Sequence, residues 1–454
     1  MSHIELCKTA IAAAQKAGAK EAEALIYGDR TVNVDIERGE IKTCSDLKDI
    51  GIGVRAIIDG KIGFAYTNVL TREEVEKTAK QAAAASLASL KDKNWRQLPE
   101  SRKYPTVEET FDKKILEVPS DKVVELCQQM IASSAEVDKR VLAAFGGAQV
   151  SSLNLACANS NGVEVEDKGT FIAYALGAMA RSETQVSPMC YEFKASRTYD
   201  TDANWVGKEA ARLAAQSLNV GKPEAGRFPV LLDPFALQEI LTHTLIESAK
   251  GDTVYRGRSK LRGKVGTQIA AENVSLYDDG TLAGGMYSGK TDFEGVPRQK
   301  TPIIEKGTLR GFIYDNYWAR LAQGKSTGNA GRGGGALSLP AYCMVPSISP
   351  TNIKLEEGTA SEDELIREVK NGYYVRSVQG AHQSNPDTGD FSVAITPAWR
   401  IMKGEIQHAV KGAMIAGNIY DLLNKIGLMG KETRQRGTFI APKVVVTELN
   451  VVSK

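Results

Sequence analysis

Strand-like segments separated by glycine restrict the folds open to this chain more than any other feature of its sequence. Residues 31–67 alternate apolar and polar side chains and are interrupted at Gly39 and Gly60, a pattern typical of antiparallel strands joined by tight turns. Beyond residue 226, apolar runs separated by glycine continue with few helical segments. Because strands and helices do not alternate regularly, the sequence argues against a doubly wound parallel sheet and predicts an α+β fold.

The N-terminal half divides into two segments that each combine helices with strands. Residues 1–92 form the first predicted α+β unit, and residues 106–220 form the second, with a charged connector that contains proline between them. Thr71 and Glu74 have capping-box spacing at the start of an alanine-rich helix. The predicted helices of the two units cover residues 4–19, 71–90, 120–137 and 204–218.

Glycine and proline in residues 221–226 mark the clearest domain boundary in the chain. From residue 226 to residue 454 the sequence predicts a third domain that is β-rich, barrel-like and poor in helices. Its clearest late helix is predicted over residues 361–371, with Gly372 at the exit. Predicted strands of this domain include residues 228–232 and 443–452.

A helix is predicted directly after this boundary, between Asp233 and Gly251. Asp233 suits the N-cap, Pro234 suits the first helical position, and Gly251 suits the position beyond the last turn.

Three polar residues of this helix, Glu239, His243 and Glu247, are spaced four apart and so share one helix face. They could hold a weakly bound divalent metal, or His243 could act as a base between two carboxylates. The same spacing is common on solvated helices, where it supplies only ion pairs. The sequence leaves both interpretations open.

This helix resembles a segment of the PmbA/TldD family, the so-called modulators of DNA gyrase. Zinc-bearing members of the TldD type carry His-Glu-x-x-x-His there, followed after three residues by Gly-Asp. Alignment on Gly251 and Asp252 places Thr242 and Glu247 at the two histidine positions and His243 at the glutamate position. The resemblance extends over nearly the whole chain, through weaker matches at residues 34–41, 51–55, 326–330, 389–392, 404–407 and 416–418.

The zinc motif of that family is therefore absent from this sequence. A hydrolytic zinc site needs about three ligands of histidine, cysteine or carboxylate type and a carboxylate base. Zinc-bearing members also use a late cysteine as a ligand, whereas Cys343 is the last cysteine here and residues 427–433 contain none. The two losses indicate the PmbA or TldE type, with no catalytic residue and no metal expected in this chain.

The resemblance also implies a function and a partner. A TldE/PmbA-type chain is expected to pair with a zinc-bearing TldD-type homologue in a cytosolic protease for peptides and small unfolded proteins. In that pair it would contribute to the substrate chamber and hold extended peptides. Two alternatives stay open: a homodimer with its own metal-dependent peptidase activity, and a non-enzymatic binding protein or gyrase-associated factor.

Composition argues against several classes of partner. The chain has 57 lysines and arginines against 55 acidic residues, a net charge of +2, which gives no general attraction to nucleic acid or to a membrane. A polar N-terminus and the lack of an apolar run of about 18 residues predict a cytoplasmic protein without membrane contact. The six isolated cysteines are predicted to be small buried side chains.

Two further segments supply candidates for substrate contact. Basic residues at alternate positions from Arg256 to Lys264 would share one face if this segment were a strand, although two glycines within it favour a charged loop. Residues 380–392 form a polar loop, which the resemblance places by the active cleft and which its composition also explains as an ordinary turn. The substrate-cleft candidates are Glu239, His243, Glu247, Asp252, Arg256, Arg258, His382, Asp387 and Asp390.

A glycine-rich run at residues 324–335 contains two misleading motifs. It includes Gly-Lys-Ser, but a phosphate-binding loop would need glycine where Ala319 stands. It also satisfies Gly-x-Ser-x-Gly, but the glycines that follow cannot start the helix of a nucleophile elbow. A tightly turning loop is predicted there.

Overall fold

Long antiparallel strands from both N-terminal units join into a single six-stranded sheet in the computed structural model, which describes residues 1–333 and 339–453. The strands are β1 Glu21–Glu37, β2 Glu40–Ile58, β3 Lys61–Thr67, β4 Val141–Asn159, β5 Glu164–Ala180 and β6 Cys190–Ser196. Their order is β3-β2-β1-β4-β5-β6. Because β1 pairs with β4 over most of its length, the first and second units share one sheet.

Helices pack against this sheet where the sequence predicts them, with small shifts at their ends. Thr71 accepts the backbone N–H of Glu74 at the start of its helix, as the capping spacing requires. Buried alanines of the first two helices form one core with β1 and β2, and the helices of the second unit form another. The helices are α1 His3–Lys16, α2 Arg72–Ala88, α3 Lys113–Leu116, α4 Ser120–Val137 and α5 Ala203–Gln216.

A second, larger sheet occupies the C-terminal half. Its longest strand, the last of the chain, pairs with four other strands and so organises the sheet. The strands of this half, together with a short one just before it, are β7 Val220–Gly221, β8 Gly226–Leu232, β9 Leu276–Asp279, β10 Lys300–Glu305, β11 Thr308–Leu309, β12 Ala330–Gly331, β13 Ser347–Ile348, β14 Ile353–Leu355, β15 Asn371–Val375, β16 Val378–Gln379, β17 Asp390–Ile395, β18 Ala398–Met402, β19 Glu405–Val410, β20 Ala413–Asn418, β21 Ile426–Arg436 and β22 Phe439–Ser453.

The helices of this half are short. They are α6 Pro234–Leu241, α7 Gly251–Tyr255, α8 Asn316–Leu321, α9 Glu362–Val369 and α10 Ile419–Asn424, with a π turn at Thr242–Ile246 and 3₁₀ turns at Ala341–Cys343 and Ala381–Gln383.

Two glycines that the sequence assigns to helix ends serve close tertiary contacts. The helix that starts at Pro234 ends at Ser248, before Gly251 as predicted, but Gly251 itself begins α7, and a Cβ there would lie 2.0 Å from the Tyr314 ring. The late helix stops at Val369, so Gly372 lies inside β15, where a Cβ would lie 2.0 Å from the carbonyl oxygen of Pro229. Both glycines are needed for tertiary approach, not for helix termination.

The α+β class and the β-rich C-terminal half are confirmed, whereas the barrel-like form and the domain limits stay predictions. Residues 324–333 form a loop apart from β12, and the predicted loop residues Gly334 and Gly335 lie outside the described residues. Cys44 is exposed, so the prediction of uniformly buried cysteines is wrong for it. Within the described residues, no helix is both long and apolar enough to cross a membrane.

A buried charge cluster joins the two halves of the chain. Glu192 on β6 is fully buried and binds the Arg376 guanidinium at 2.7 Å. Arg376 also pairs with Asp233, the N-cap of α6, whose second oxygen accepts the Tyr374 hydroxyl at 2.9 Å. Arg434 pairs with Glu192 from the other side, at 2.5 Å. Because buried charges are stable only when paired, this cluster fixes α6 against the N-terminal sheet.

We predict that Arg376→Gln lowers the free energy of unfolding by about 3–5 kcal/mol, because it leaves two buried carboxylates short of their shared cation. Urea denaturation followed by circular dichroism measures this loss. Arg310→Gln is the matched control, since its pair with Glu305 at 2.9 Å is exposed. The control should lose less than about 1 kcal/mol. Equal losses in the two variants would contradict the role given to the buried cluster.

A second group of buried ionic side chains lies between the first unit and the C-terminal half. Arg55 on β2 pairs at 2.8 Å with Glu23 on β1 and, also at 2.8 Å, with Glu294. Glu294 accepts the backbone N–H of Asn316 at 3.0 Å, at the start of α8. Asp315, the N-cap of α8, is also buried, and burial together with the charge of Glu294 raises the pKa of Asp315 to about 8.

The raised pKa of Asp315 predicts a pH-dependent stability. The folded-state pKa lies above the ordinary value of 3.8, so the contribution of this group is complete below about pH 4 and is lost as the pH rises through about 8. In Asp315→Asn, which keeps a neutral capping side chain, the free energy of unfolding should fall less steeply between about pH 5 and about pH 8. Urea titrations across this range measure the slope.

Asp138→Asn serves as the control for this titration. Hydrogen bonds from Arg140 lower the pKa of Asp138 to about 2, so its contribution changes only at more acidic pH. This control should keep the slope of the unmodified protein between about pH 5 and about pH 8. An unaltered slope in Asp315→Asn would show that Asp315 does not titrate in this range.

Candidate functional site

The helix that follows the domain boundary changes its geometry in its second half. Asp233 accepts the backbone N–H of Phe235 at 3.1 Å, and Pro234 occupies the first turn of α6, as predicted. From Thr242 to Ile246 the helix then becomes a π turn, whose backbone hydrogen bonds join residues five apart.

This π turn brings positions 242 and 247 onto neighbouring parts of the helix surface. In a regular α-helix, residues five apart point about 140° away from each other. A π turn is wound more widely than an α-helix, so this angle is smaller there. Thr242, His243 and Glu247 are half-buried, whereas Thr244 is fully buried. The local backbone therefore presents the three positions of a His-Glu-x-x-x-His motif on the accessible side, although the residues differ.

The predicted polar face of this helix engages in ordinary ion pairing. The His243 Nε2 atom lies 3.9 Å from Glu239, which also lies 3.5 Å from the Arg436 guanidinium. Glu247 accepts the Lys250 ammonium at 2.6 Å. Each carboxylate thus has a cationic neighbour on the protein itself.

The loop at residues 380–392 lies against the end of this helix. Its 3₁₀ turn packs on the π turn, and the Ser248 hydroxyl donates a hydrogen bond to the backbone oxygen of Pro386. Arg258 pairs with Asp387 at 3.4 Å. The helix, the basic segment that follows it and the distant loop at residues 380–392 therefore meet at one place.

The other predicted candidates are placed less centrally. Asp390 is exposed and accepts hydrogen bonds from Asn418 at 2.8 Å and Thr388 at 2.7 Å, which lower its pKa. His382 is exposed on its 3₁₀ turn, and Asp252 lies in the first turn of α7.

The basic segment that begins at Arg256 is not a strand, because residues 256–264 form successive turns. The alternative of a single basic face is therefore wrong. The Arg256 guanidinium stacks over the Trp318 ring with 4.9 Å to the centroid. The charged-loop interpretation of this segment is the one that the structure supports.

Arginines near the start of the helix were missed by sequence reasoning. The Phe235 ring is surrounded by Arg376, Arg434 and Arg436, with guanidinium carbons 4.0, 5.2 and 4.7 Å from its centroid. Burial lowers the pKa of Arg436. Arg434 and Arg436 alternate along β21, so strand periodicity could have indicated that they share a side. Only the fold shows that this side faces α6.

These residues do not fit a hydrolytic zinc ion. Such an ion takes about three histidine, cysteine or carboxylate ligands. Thr242 is not such a ligand, and Glu247 already binds Lys250. Among residues 1–333 and 339–453, no three histidine, cysteine or acidic side chains are grouped closely enough to hold a metal.

Models of one protein family match three parts of this chain. Residues 22–86 match domain 1 of the PmbA/TldA metallopeptidases, residues 113–218 match the central domain, and residues 225–453 match the C-terminal domain. The chain belongs to the PmbA/TldD metallopeptidase family.

Relatives in this family carry names from both of its branches. An uncharacterised protein of Methanocaldococcus jannaschii is 34% identical over 425 residues, which cover 94% of this chain and 95% of that protein. A protein named metalloprotease TldD homolog from Buchnera aphidicola is 27% identical over 88% of this chain and 83% of its own length. The crystal structure of TldE from Thermococcus kodakarensis superposes with a TM-score of 0.92 at 29% identity, covering 99% of this chain and 100% of that one.

We predict that the π turn will bind zinc if histidines replace Thr242 and Glu247. The double variant Thr242→His with Glu247→His should bind zinc at least about tenfold more tightly than Thr242→His alone, because two adjacent imidazoles can share one ion. Competition with a chromophoric chelator measures both affinities. Equal affinities would show that the two positions do not face a common point.

Proposed function

We propose that this chain is the TldE/PmbA-type subunit of a PmbA/TldD peptidase, without a catalytic zinc ion of its own. One observation carries the proposal: Thr242, His243 and Glu247 stand in and beside the π turn, at the positions where the resemblance places the zinc motif. A chain whose residues at these positions do not suit a hydrolytic zinc ion fits a subunit whose catalysis is performed elsewhere. The partner would be a zinc-bearing TldD-type homologue.

In this proposal the surface around the π turn forms a wall of the substrate chamber. The pairs Glu239–His243 and Arg258–Asp387 present both charges to that surface. A surface with both positive and negative side chains can form hydrogen bonds with the carbonyl, amide and terminal groups of a peptide. Edge strands such as β3 and β6 additionally offer backbone groups, and strand addition binds extended peptides with little sequence preference.

The experiment measures metal content and peptide cleavage together. The purified chain, a zinc-bearing TldD-type protein from the same source, and their mixture are each analysed for zinc, manganese and iron. Each is then tested for cleavage of an unfolded polypeptide. We expect no stoichiometric metal and no cleavage from this chain alone, and chelator-sensitive cleavage from the mixture at a higher rate than from the partner alone. About one metal ion per chain with chelator-sensitive cleavage by this chain alone would overturn the proposal.

His243→Ala separates a wall residue from a catalytic base. If His243 only lines the chamber, the kcat of the mixture should fall by less than about tenfold, equivalent to about 1.4 kcal/mol. Loss of a general base costs about 10²–10⁴-fold. Asp138→Asn, on the opposite half of the chain, is the control for nonspecific effects. A loss of the larger size would favour the alternative in which this chain is itself a metal-dependent peptidase.

A further inference from the structure

A cavity of about 430 Å³ lies between the N-terminal sheet and a C-terminal segment, and no residue of the π turn lines it. One wall is the sheet face formed by β4, β5 and β6, and the other is the segment around residues 286–298. Its volume falls within the usual range for small-molecule sites. Its apolar lining includes Tyr27, Leu153, Leu155, Phe171, Phe193 and Phe293.

Arg197 lies in this apolar lining without a carboxylate as hydrogen-bond partner. Its side chain is only 4% exposed, and the hydrogen bonds that it forms in the described part of the chain all go to backbone oxygens. Its Nε atom is buried without a partner there. Burial lowers the pKa of Arg197 to about 10.

Gly169 on β5 makes room for this arginine. A Cβ at that position would lie 2.4 Å from a terminal guanidinium nitrogen of Arg197. The guanidinium therefore lies directly over the strand backbone and faces the cavity floor.

Arg298 brings a second guanidinium to the cavity. Its Nε donates to the Thr291 backbone oxygen at 3.0 Å, and its Nη1 donates more weakly to the Gly328 backbone oxygen at 3.4 Å. A guanidinium has five N–H donors, so these two bonds leave several for a ligand. Asp278 and Asp292 also lie near this guanidinium, but neither of them lines the cavity.

The carboxylate that lines the cavity is already engaged by the backbone. Asp167 accepts the N–H of Lys168 at 2.9 Å and the N–H of Lys290 at 2.7 Å. The Lys168 ammonium also lines the cavity, and its Nζ atom stacks 3.9 Å from the Phe111 ring centroid. Three cationic side chains thus face one carboxylate inside mostly apolar walls.

We propose that this cavity binds a small ligand with an apolar body and one carboxylate. The carboxylate pairs with Arg298, and Arg197 and Lys168 add positive charge around it. The aromatic and leucine side chains cover the apolar body. A monoanion matches the modest excess of positive charge, and a guanidinium fits the planar geometry of a carboxylate. The proposed site shares no residue with the π turn and does not rest on the proposed peptidase function, although its β6 wall is one of the edge strands named there.

The test compares an acid with its neutral amide on the unmodified full chain. Isothermal titration calorimetry measures binding of N-acetyl-L-phenylalanine and of N-acetyl-L-phenylalaninamide. The acid should bind at least about tenfold more tightly, because only it forms charge-assisted hydrogen bonds. Equal affinities, or no binding of the acid up to about 1 mM, would overturn the proposal.

Arg298→Gln tests the assigned anchor. The variant should lose at least about tenfold in affinity for the acid and keep that for the amide. Arg72→Gln, at an exposed position on α2, is the matched control and should change neither value. Thermal denaturation checks folding of both variants. If Arg298→Gln does not fold, the comparison of acid and amide on the unmodified chain still decides the question. A folded Arg298→Gln with unchanged acid affinity would exclude Arg298 as the anchor.

A peptide pair identifies the source of the carboxylate. Gly-Gly-Phe with a free C-terminus and its C-terminal amide are titrated in the same way. Binding of the free tripeptide as tight as that of the small acid supports a site for peptide chain ends. Binding of the small acid alone supports a site for a free apolar carboxylic acid.

Discussion

The ion pairs of Arg376 are the interactions on which the arrangement of this molecule most depends. Arg376 carries a positive charge into a region where Glu192 and Asp233 are almost fully buried, and it satisfies both. Glu192 belongs to the edge strand of the N-terminal sheet, whereas Asp233 begins α6. Arg376 therefore connects the two halves of the chain and fixes where α6 starts. A buried charge left without its partner is costly, so these elements are held together as a set.

The helix that begins at Asp233 combines a regular first half with a π turn in its second half, at Thr242–Ile246. Such turns are rare in proteins and often lie at functional sites. Here the turn presents threonine, histidine and glutamate, and the glutamate is engaged with Lys250. The Ser248 hydroxyl and Asp387 connect the loop at residues 380–392 to this turn and its neighbouring segment. The surface is thus ordered and polar, which suits contact with a substrate more than metal chemistry.

The charges in the interior follow two different rules. Around Arg376 and Arg55, each guanidinium meets carboxylates, and these clusters hold the parts of the chain together. Around Arg197, the guanidinium meets backbone oxygens in an apolar cavity instead. The first arrangement is complete within the protein. The second leaves positive charge beside a cavity of about 430 Å³.

The sequence by itself determined the class of fold, most of the longer helices and the absence of the His-Glu-x-x-x-His motif, because these depend on local pattern and residue identity. Asp233 and Thr71 predicted the starts of their helices, because side-chain capping acts within one turn. Tertiary structure decided the rest. Gly251 and Gly372 looked like helix ends, but they serve close contacts with Tyr314 and Pro229. The pairing of Arg258 with Asp387 and the cavity around Arg197 join residues that are distant in sequence. The π turn depends on the packing around it. Local periodicity encodes neither.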